Sequence, residues 1–250
     1  MGTTLKESSG VKRRISTQDV ALVAVMAALA NVLGFFAIPG PWNIQFSMTG
    51  IPILLVAFTR GPLLGALTGL LGGYVQAVKY GWEGYVVYTA IQGGVAGFFA
   101  KKVRLLRVLA PPFFFFGGFF LTWWVDQMRY GKVTFEDLVS MTQRAVAAGP
   151  ETGLAVPYVS IVSGVVAAAV AALLVLRFPE NRRLLLTLAG CMGAIAYVPY
   201  DAFALYVVQQ YPWIPTWFVL AKDLVQDFVA AGITASILEN KRVRRLLGGA

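Results

Sequence analysis

The sequence predicts an all-α, polytopic transmembrane helical bundle. Of its 250 residues, 58% are hydrophobic and only 13% charged, against about 25% charged residues in an average soluble domain. The mean hydropathy is +0.69. The apolar residues fall in blocks close to the roughly 20 residues that a membrane-crossing helix needs. No stretch is polar enough for a separate soluble catalytic domain. The chain therefore reads as one integral membrane domain over 19–240, with basic tails at 1–18 and 241–250.

The first apolar segment, 19–38, is expected to end at Pro39 and Pro41, because proline removes a donor and restricts the residue before it. It is rich in alanine, and Ala24 and Ala28 form a small-xxx-small step that lets another helix approach closely. The second segment, 47–59, has 13 residues. That is short for a full crossing and suits a tilted or half-buried helix packed inside the protein. Arg60-Gly61-Pro62 turns the chain into 61–80, whose Gly65, Gly69, Gly72 and Gly73 make one smooth face. Gly93, Gly94 and Gly97 make another on 84–101. Segments 109–126 and 152–176 flank an external stretch, 127–151. There Phe135, Leu138, Val139, Met141 and Val146 recur at roughly helical spacing and predict a helix lying on the membrane surface. Segments 184–209 and 217–238 complete eight crossings. No internal or inverted repeat is evident.

Eight crossings put both termini on one side. Sixteen of the 21 basic residues then fall on that side and four (Lys79, Arg129, Lys132 and Arg144) on the other, with Lys222 inside a crossing. Cytoplasmic loops carry the excess of Lys and Arg, so both termini are expected in the cytoplasm and 127–151 outside. The net charge of +9 is thus a membrane-orientation signal, and no nucleic-acid partner is inferred. There is no histidine and a single cysteine, Cys191. This removes the commonest general base and any thiolate cluster, so no metal and no cofactor are expected.

Charged groups inside a membrane cost about 2.5–3.5 kcal/mol each at a helix centre and usually face a cavity or a partner. The final segment holds Lys222, Asp223 and Asp227, with the two aspartates four apart on one face. Lys222 is read either as a self-satisfied partner of an aspartate or as a substrate contact. In the expected orientation, Tyr200 and Asp201 fall in the same outer half, as do Gln76, Tyr88 and Gln92. The loop residues Asn43 and Gln45 would cap them. These ten are the candidate substrate-binding residues. Abundant Tyr and Trp suit a flat heterocycle, the carboxylates suit a cationic or donor-rich ligand, and Lys222 suits a carboxylate.

The stretch Ile51–Gly72, a proline-started short helix, a Gly-Pro turn and a glycine-rich helix, resembles the second and third helices of the substrate-binding S components of energy-coupling factor (ECF) vitamin transporters. Ala24-xxx-Ala28 is similar to that family's docking contact for its transmembrane coupling subunit. Ile214-Pro215 followed by Lys222 and a basic helix end is similar to its last helix. The resemblance covers 1–101 and 184–245. It implies a six-helix core, with 103–176 as an inserted pair carrying the external segment. It also implies high-affinity binding of a vitamin or related micronutrient, with no catalysis, and uptake together with a coupling membrane protein and two cytoplasmic ATPases. The chain has no G-x-x-x-x-G-K-[ST] loop of its own. Thiamin, biotin, pantothenate and riboflavin stay open as substrates, riboflavin matching the aromatic part. The alternatives are a self-sufficient ion-coupled secondary transporter using Asp201, Asp223 or Asp227, and an intramembrane enzyme using a pair of those carboxylates.

Overall fold

Ser16 and Asp19 start the first helix reciprocally: the Asp19 amide donates to Ser16 Oγ at 3.2 Å, and the Ser16 amide donates to Asp19 Oδ2 at 3.1 Å, a capping box. The computed structural model describes residues 15–36, 38–39, 45–81, 83–129, 134, 136–137, 157–208 and 213–247. Among them run α1 (Thr17–Phe35), α2 (Gly50–Arg60), α3 (Pro62–Gly72), α4 (Tyr74–Tyr80), α5 (Tyr85–Lys101), α6 (Val103–Arg129), α7 (Tyr158–Arg177), α8 (Arg182–Phe203), a π-helical turn (Ala204–Val208), α9 (Trp213–Ile237) and α10 (Lys241–Leu246). The only extended pairing described is a two-residue antiparallel ladder, β1 (Ile38–Pro39) with β2 (Gln45–Phe46). The protein is an all-α bundle, and the predicted segments appear in the predicted order.

Several boundaries differ. α1 stops at Phe35 rather than 38. Phe36 leaves helical geometry, and Pro39 favours an extended residue before it, so Ile38 pairs with Phe46 instead. The segment expected as one helix over 61–80 is split at Gly73. Thr89 Oγ1 donates to the Gly69 carbonyl at 2.7 Å, alongside the helical bond from the Gly73 amide at 2.9 Å, and a Cβ on Gly73 would stand 2.4 Å from that hydroxyl. α6 begins at Val103, six residues before its expected start, and continues through Pro111 and Pro112. α7 begins at Tyr158, and 152–156 lie outside the described residues. The segment 184–209 is α-helical only to Phe203 and then widens into the π-turn. α9 starts at Trp213.

Among the described residues, four helices are long and apolar enough to cross a membrane: α1, Val103–Asp126 of α6, α7 and α8. The other expected crossings are of different kinds. α2 has 11 residues and is buried almost throughout, as its length predicted. α3 and α4 together cover the expected segment 61–80. α5 has 17 residues, and α9 carries Lys222, Asp223 and Asp227. Such weak inserters are shielded by neighbours. α8 is the central shield, with 72% of its apolar window buried against 22–28% for α1, α6 and α7.

Close backbone approach organises the centre. A Cβ on Gly65 would lie 2.6 Å from the Gly93 carbonyl oxygen, and one on Gly193 would lie 2.6 Å from that of Gln92. Thus α3, α5 and α8 pack backbone to backbone. Leu54, Phe58, Phe99, Leu106, Leu188 and Met192 fill one side of the resulting core. α6 and α7 form a hairpin. Asp126 accepts the amides of Val159 (3.0 Å) and Ser160 (2.7 Å) as well as the Ser160 hydroxyl. This carboxylate from α6 therefore caps α7, whose own cap position is Pro157. Of the expected surface helix over 127–151, residues 127–129 belong to the end of α6. Thr134 and Asp137 form a helix-start pair, with the Asp137 amide donating to Thr134 Oγ1 at 3.1 Å. The remainder lies outside the described residues.

Basic residues gather at one end of the bundle. Arg60 pairs with Asp19 at 2.9 Å, and Lys101 Nζ donates to the Thr59 carbonyl at 3.1 Å. Arg107 donates to the Pro179 carbonyl, and Arg183 meets Glu239 at 3.4 Å. The start of α1 and the end of α9 share this end.

Candidate functional site

The short helix α2 explains where polar groups collect. Eleven residues span about 16 Å at 1.5 Å per residue, so the chain from β2 must enter the bundle before α2 begins. Its backbone needs partners there, since lipid offers none. Gln76 of α4 holds the two side chains that precede α2: its Nε2 donates to Thr49 Oγ1 at 2.9 Å and to Ser47 Oγ. Gln226 of α9 accepts the Ser47 amide at 2.9 Å. Gln76 is 1% exposed, so it acts as an internal clamp on the entering loop. Its Oε1 is buried without a hydrogen bond.

Beside this clamp lies a second polar group. A Cβ on Gly50 would stand 3.4 Å from Asp227 Oδ1 and 3.5 Å from Gln92 Nε2. Asp227 therefore sits against the first turn of α2, where the helix dipole favours negative charge. Tyr197 of α8 donates to Asp227 Oδ2 at 2.7 Å. The Tyr197 ring stands edge-on to Tyr88 at 4.3 Å between centroids, and Tyr85 OH donates to Tyr88 OH at 3.1 Å. Gln92 faces Asp227, but neither of its amide atoms makes a hydrogen bond of normal geometry.

A third group continues along α8 and α9. Lys222 and Asp223 form an ion pair with each other, their side chains 19% and 15% exposed. Asp201 is buried within the field of Lys222, Asp223 and Asp227. Tyr200 OH donates to the Gly84 carbonyl at 3.3 Å. An aromatic wall adjoins: Phe120 stacks on Trp217 at 5.2 Å, and Trp123 lies 5.8 Å from Trp217. Phe120, Leu121 and Trp217 pack on the cluster that contains Tyr88 and Tyr197.

Of the ten residues named from sequence, Tyr88, Gln92, Asp201, Lys222, Asp223 and Asp227 are thus neighbours in one zone. Gln76 joins α4 to the entering loop, and Tyr200 ties α8 to the start of α5. Gln45 lies in β2 opposite Pro39, and Asn43 is outside the described residues. Sequence reasoning left Ser47, Thr49, Gln226 and Tyr197 out of the candidate set. Ser47 and Thr49 carried the signal of two hydroxyls just before a buried helix, and Gln226 stood beside Asp227.

These elements define a membrane-embedded helical protein with aromatic, amide and carboxylate groups brought to one zone inside the bundle. A family model for the ECF-type riboflavin transporter, S component, matches residues 14–180. The chain belongs to this family, and with it to membrane proteins of vitamin uptake. The match runs through 103–176, the helices expected as an insertion. No solved structure matches the chain.

Proposed function

We propose that this protein binds riboflavin in the zone between α5, α8 and α9 and delivers it across the cell membrane with an ECF coupling subunit and two cytoplasmic ATPases. The observation that carries this reading is the adjacency of a tyrosine and tryptophan wall to three carboxylates and to the Gln92 amide, which has unused hydrogen-bonding capacity. An isoalloxazine ring is flat and offers an aromatic face with polar edges. A ribityl chain offers hydroxyl donors, which carboxylates accept. Stacking and edge contacts of this kind contribute about 0.5–1.5 kcal/mol each beyond burial. Asn43 and Gln45 would close the zone from outside. In this reading α6 adds Phe120 and Trp123, so the 103–176 pair furnishes one wall of the site. Ala24 and Ala28 serve as the docking step, and ATP hydrolysis belongs to the partners.

The test is titration of the purified full chain with riboflavin, followed by quenching of flavin fluorescence. Saturable one-to-one quenching is expected, with thiamin and biotin failing to compete. Competition by thiamin or biotin, or no quenching by riboflavin, would reject riboflavin as the substrate.

The orientation is also a proposal: both termini cytoplasmic, with the α6–α7 connection outside. It rests on the basic residues that gather at the end of the bundle where α1 begins. Cys191 is buried, so a Thr134→Cys variant carries one reactive thiol at an exposed position. A membrane-impermeant maleimide should label it in intact cells. Labelling only after permeabilisation would invert the topology.

A further inference from the structure

At the basic end of the bundle an open groove of about 850 Å³ runs between α8, α9 and α10. Val229, Ile233, Ile237 and Val243 form its apolar wall, with Arg183 and Asn240 at the basic end. The two hydroxyls along it are turned to their own helices, Thr187 Oγ1 donating to the Arg183 carbonyl at 3.0 Å and Ser236 Oγ to the Gly232 carbonyl at 2.7 Å. The groove is open at Gly232, where an added Cβ would meet nothing within 4 Å. Val229 and Ile233 are 49% and 38% exposed, so this surface faces whatever surrounds the bundle.

The mouth of the groove is strongly basic. Arg182 and Arg183 open α8, and Lys241, Arg242, Arg244 and Arg245 make up most of α10. Arg183 is engaged with Glu239. Arg182 and Arg244 are chain neighbours of Arg183 and Val243, which line the groove, and neither has an acidic partner among the described residues. An apolar channel leading from two like charges matches a ligand with a hydrocarbon chain and an anionic head. A protein partner is a poorer match, because the cytoplasmic ends of membrane helices are themselves enriched in Lys and Arg. The cytoplasmic leaflet supplies anionic headgroups at this level.

We propose that this groove is a binding site for an anionic phospholipid, with one acyl chain along Val229 and Ile233 and the phosphate at the basic mouth to which Arg182 and Arg244 contribute. The site is separate from the carboxylate and aromatic zone and does not depend on which vitamin that zone takes.

The test is native mass spectrometry of the full chain from micelles holding equal phosphatidylglycerol and phosphatidylcholine. Retention of phosphatidylglycerol at least about tenfold over phosphatidylcholine is expected. Arg182→Gln and Arg244→Gln should each reduce that preference about fivefold, the usual effect of one basic residue at an anionic surface. Gly232→Leu places a side chain in open space, so the fold is retained while retention of both lipids falls. Equal retention of the two lipids by the unsubstituted chain overturns the proposal, as does unchanged retention in all three variants. A Gly232→Leu chain that keeps its lipid but no longer assembles with a coupling subunit would assign the groove to that protein, and so would also overturn it.

Discussion

Replacing Ala24 or Ala28 with tryptophan is expected to abolish vitamin uptake while leaving riboflavin affinity within about twofold. The two faces of α1 explain the separation. Val23, Ala27, Ala30 and Gly34 are buried, and Ala30 meets Gly72 of α3, whose added Cβ would stand 2.8 Å away. Ala24 and Ala28 lie on the opposite, exposed face with Val25, Leu29 and Val32. A tryptophan at 24 or 28 therefore enters no packed core. It does prevent another helix from approaching at the distance that small residues allow. Ala27→Trp is the internal control. It would force a large ring into a site 4% exposed and should lower thermal stability and binding together, since overpacking costs about 1–3 kcal/mol. Uptake is read in cells that express the whole transporter, and binding on the purified chain. Normal uptake by both Ala24→Trp and Ala28→Trp would remove α1 as the docking face.

The same helix shows what a sequence makes legible. Alanines at 24, 27 and 28 announced close packing, but only their burial separates the inward residue from the outward pair. Composition and block length were enough to predict an all-helical membrane bundle, and the shortness of 47–59 correctly marked a buried half-helix. Gly73 looked like part of a smooth face and also marks the junction of α3 and α4, where Thr89 reaches in from another helix. Long-range partners were equally out of reach for Asp126. It reads as a polar residue at a helix end, yet caps a helix that begins 32 residues later. In the candidate site, Asp223 and Asp227 stood out through their cost in lipid, which is a local property. Tyr197 was legible only as a polar group near the outer end of its segment, beside Tyr200 and Asp201, and its bond to Asp227 depends on the packing of α8 on α9.

Asp223→Asn is expected to weaken riboflavin binding by about tenfold or more. Three carboxylates, those of Asp201, Asp223 and Asp227, share the zone with one ammonium, that of Lys222. Asp227 is held by Tyr197 and the first turn of α2. Lys222 is engaged with Asp223, so the zone retains acceptor capacity for ligand hydroxyl or ring N–H donors. Loss of a charge-assisted hydrogen bond costs about 1.5–3 kcal/mol, which is tenfold or more in affinity. Asp223 is 15% exposed at its side chain, so the fold itself should tolerate an isosteric amide. A purely structural role for the Lys222–Asp223 pair makes the opposite forecast. The single substitution would then leave an uncompensated ammonium and lower the melting temperature with affinity intact, and Lys222→Met in the same chain would restore stability by removing that charge. In a ligand-binding role, the double variant binds no better than Asp223→Asn alone. Measuring affinity and melting temperature on the two single variants and the double separates the readings. Retained affinity with rescued stability would move Asp223 out of the site and leave the family assignment, which rests on other residues, untouched.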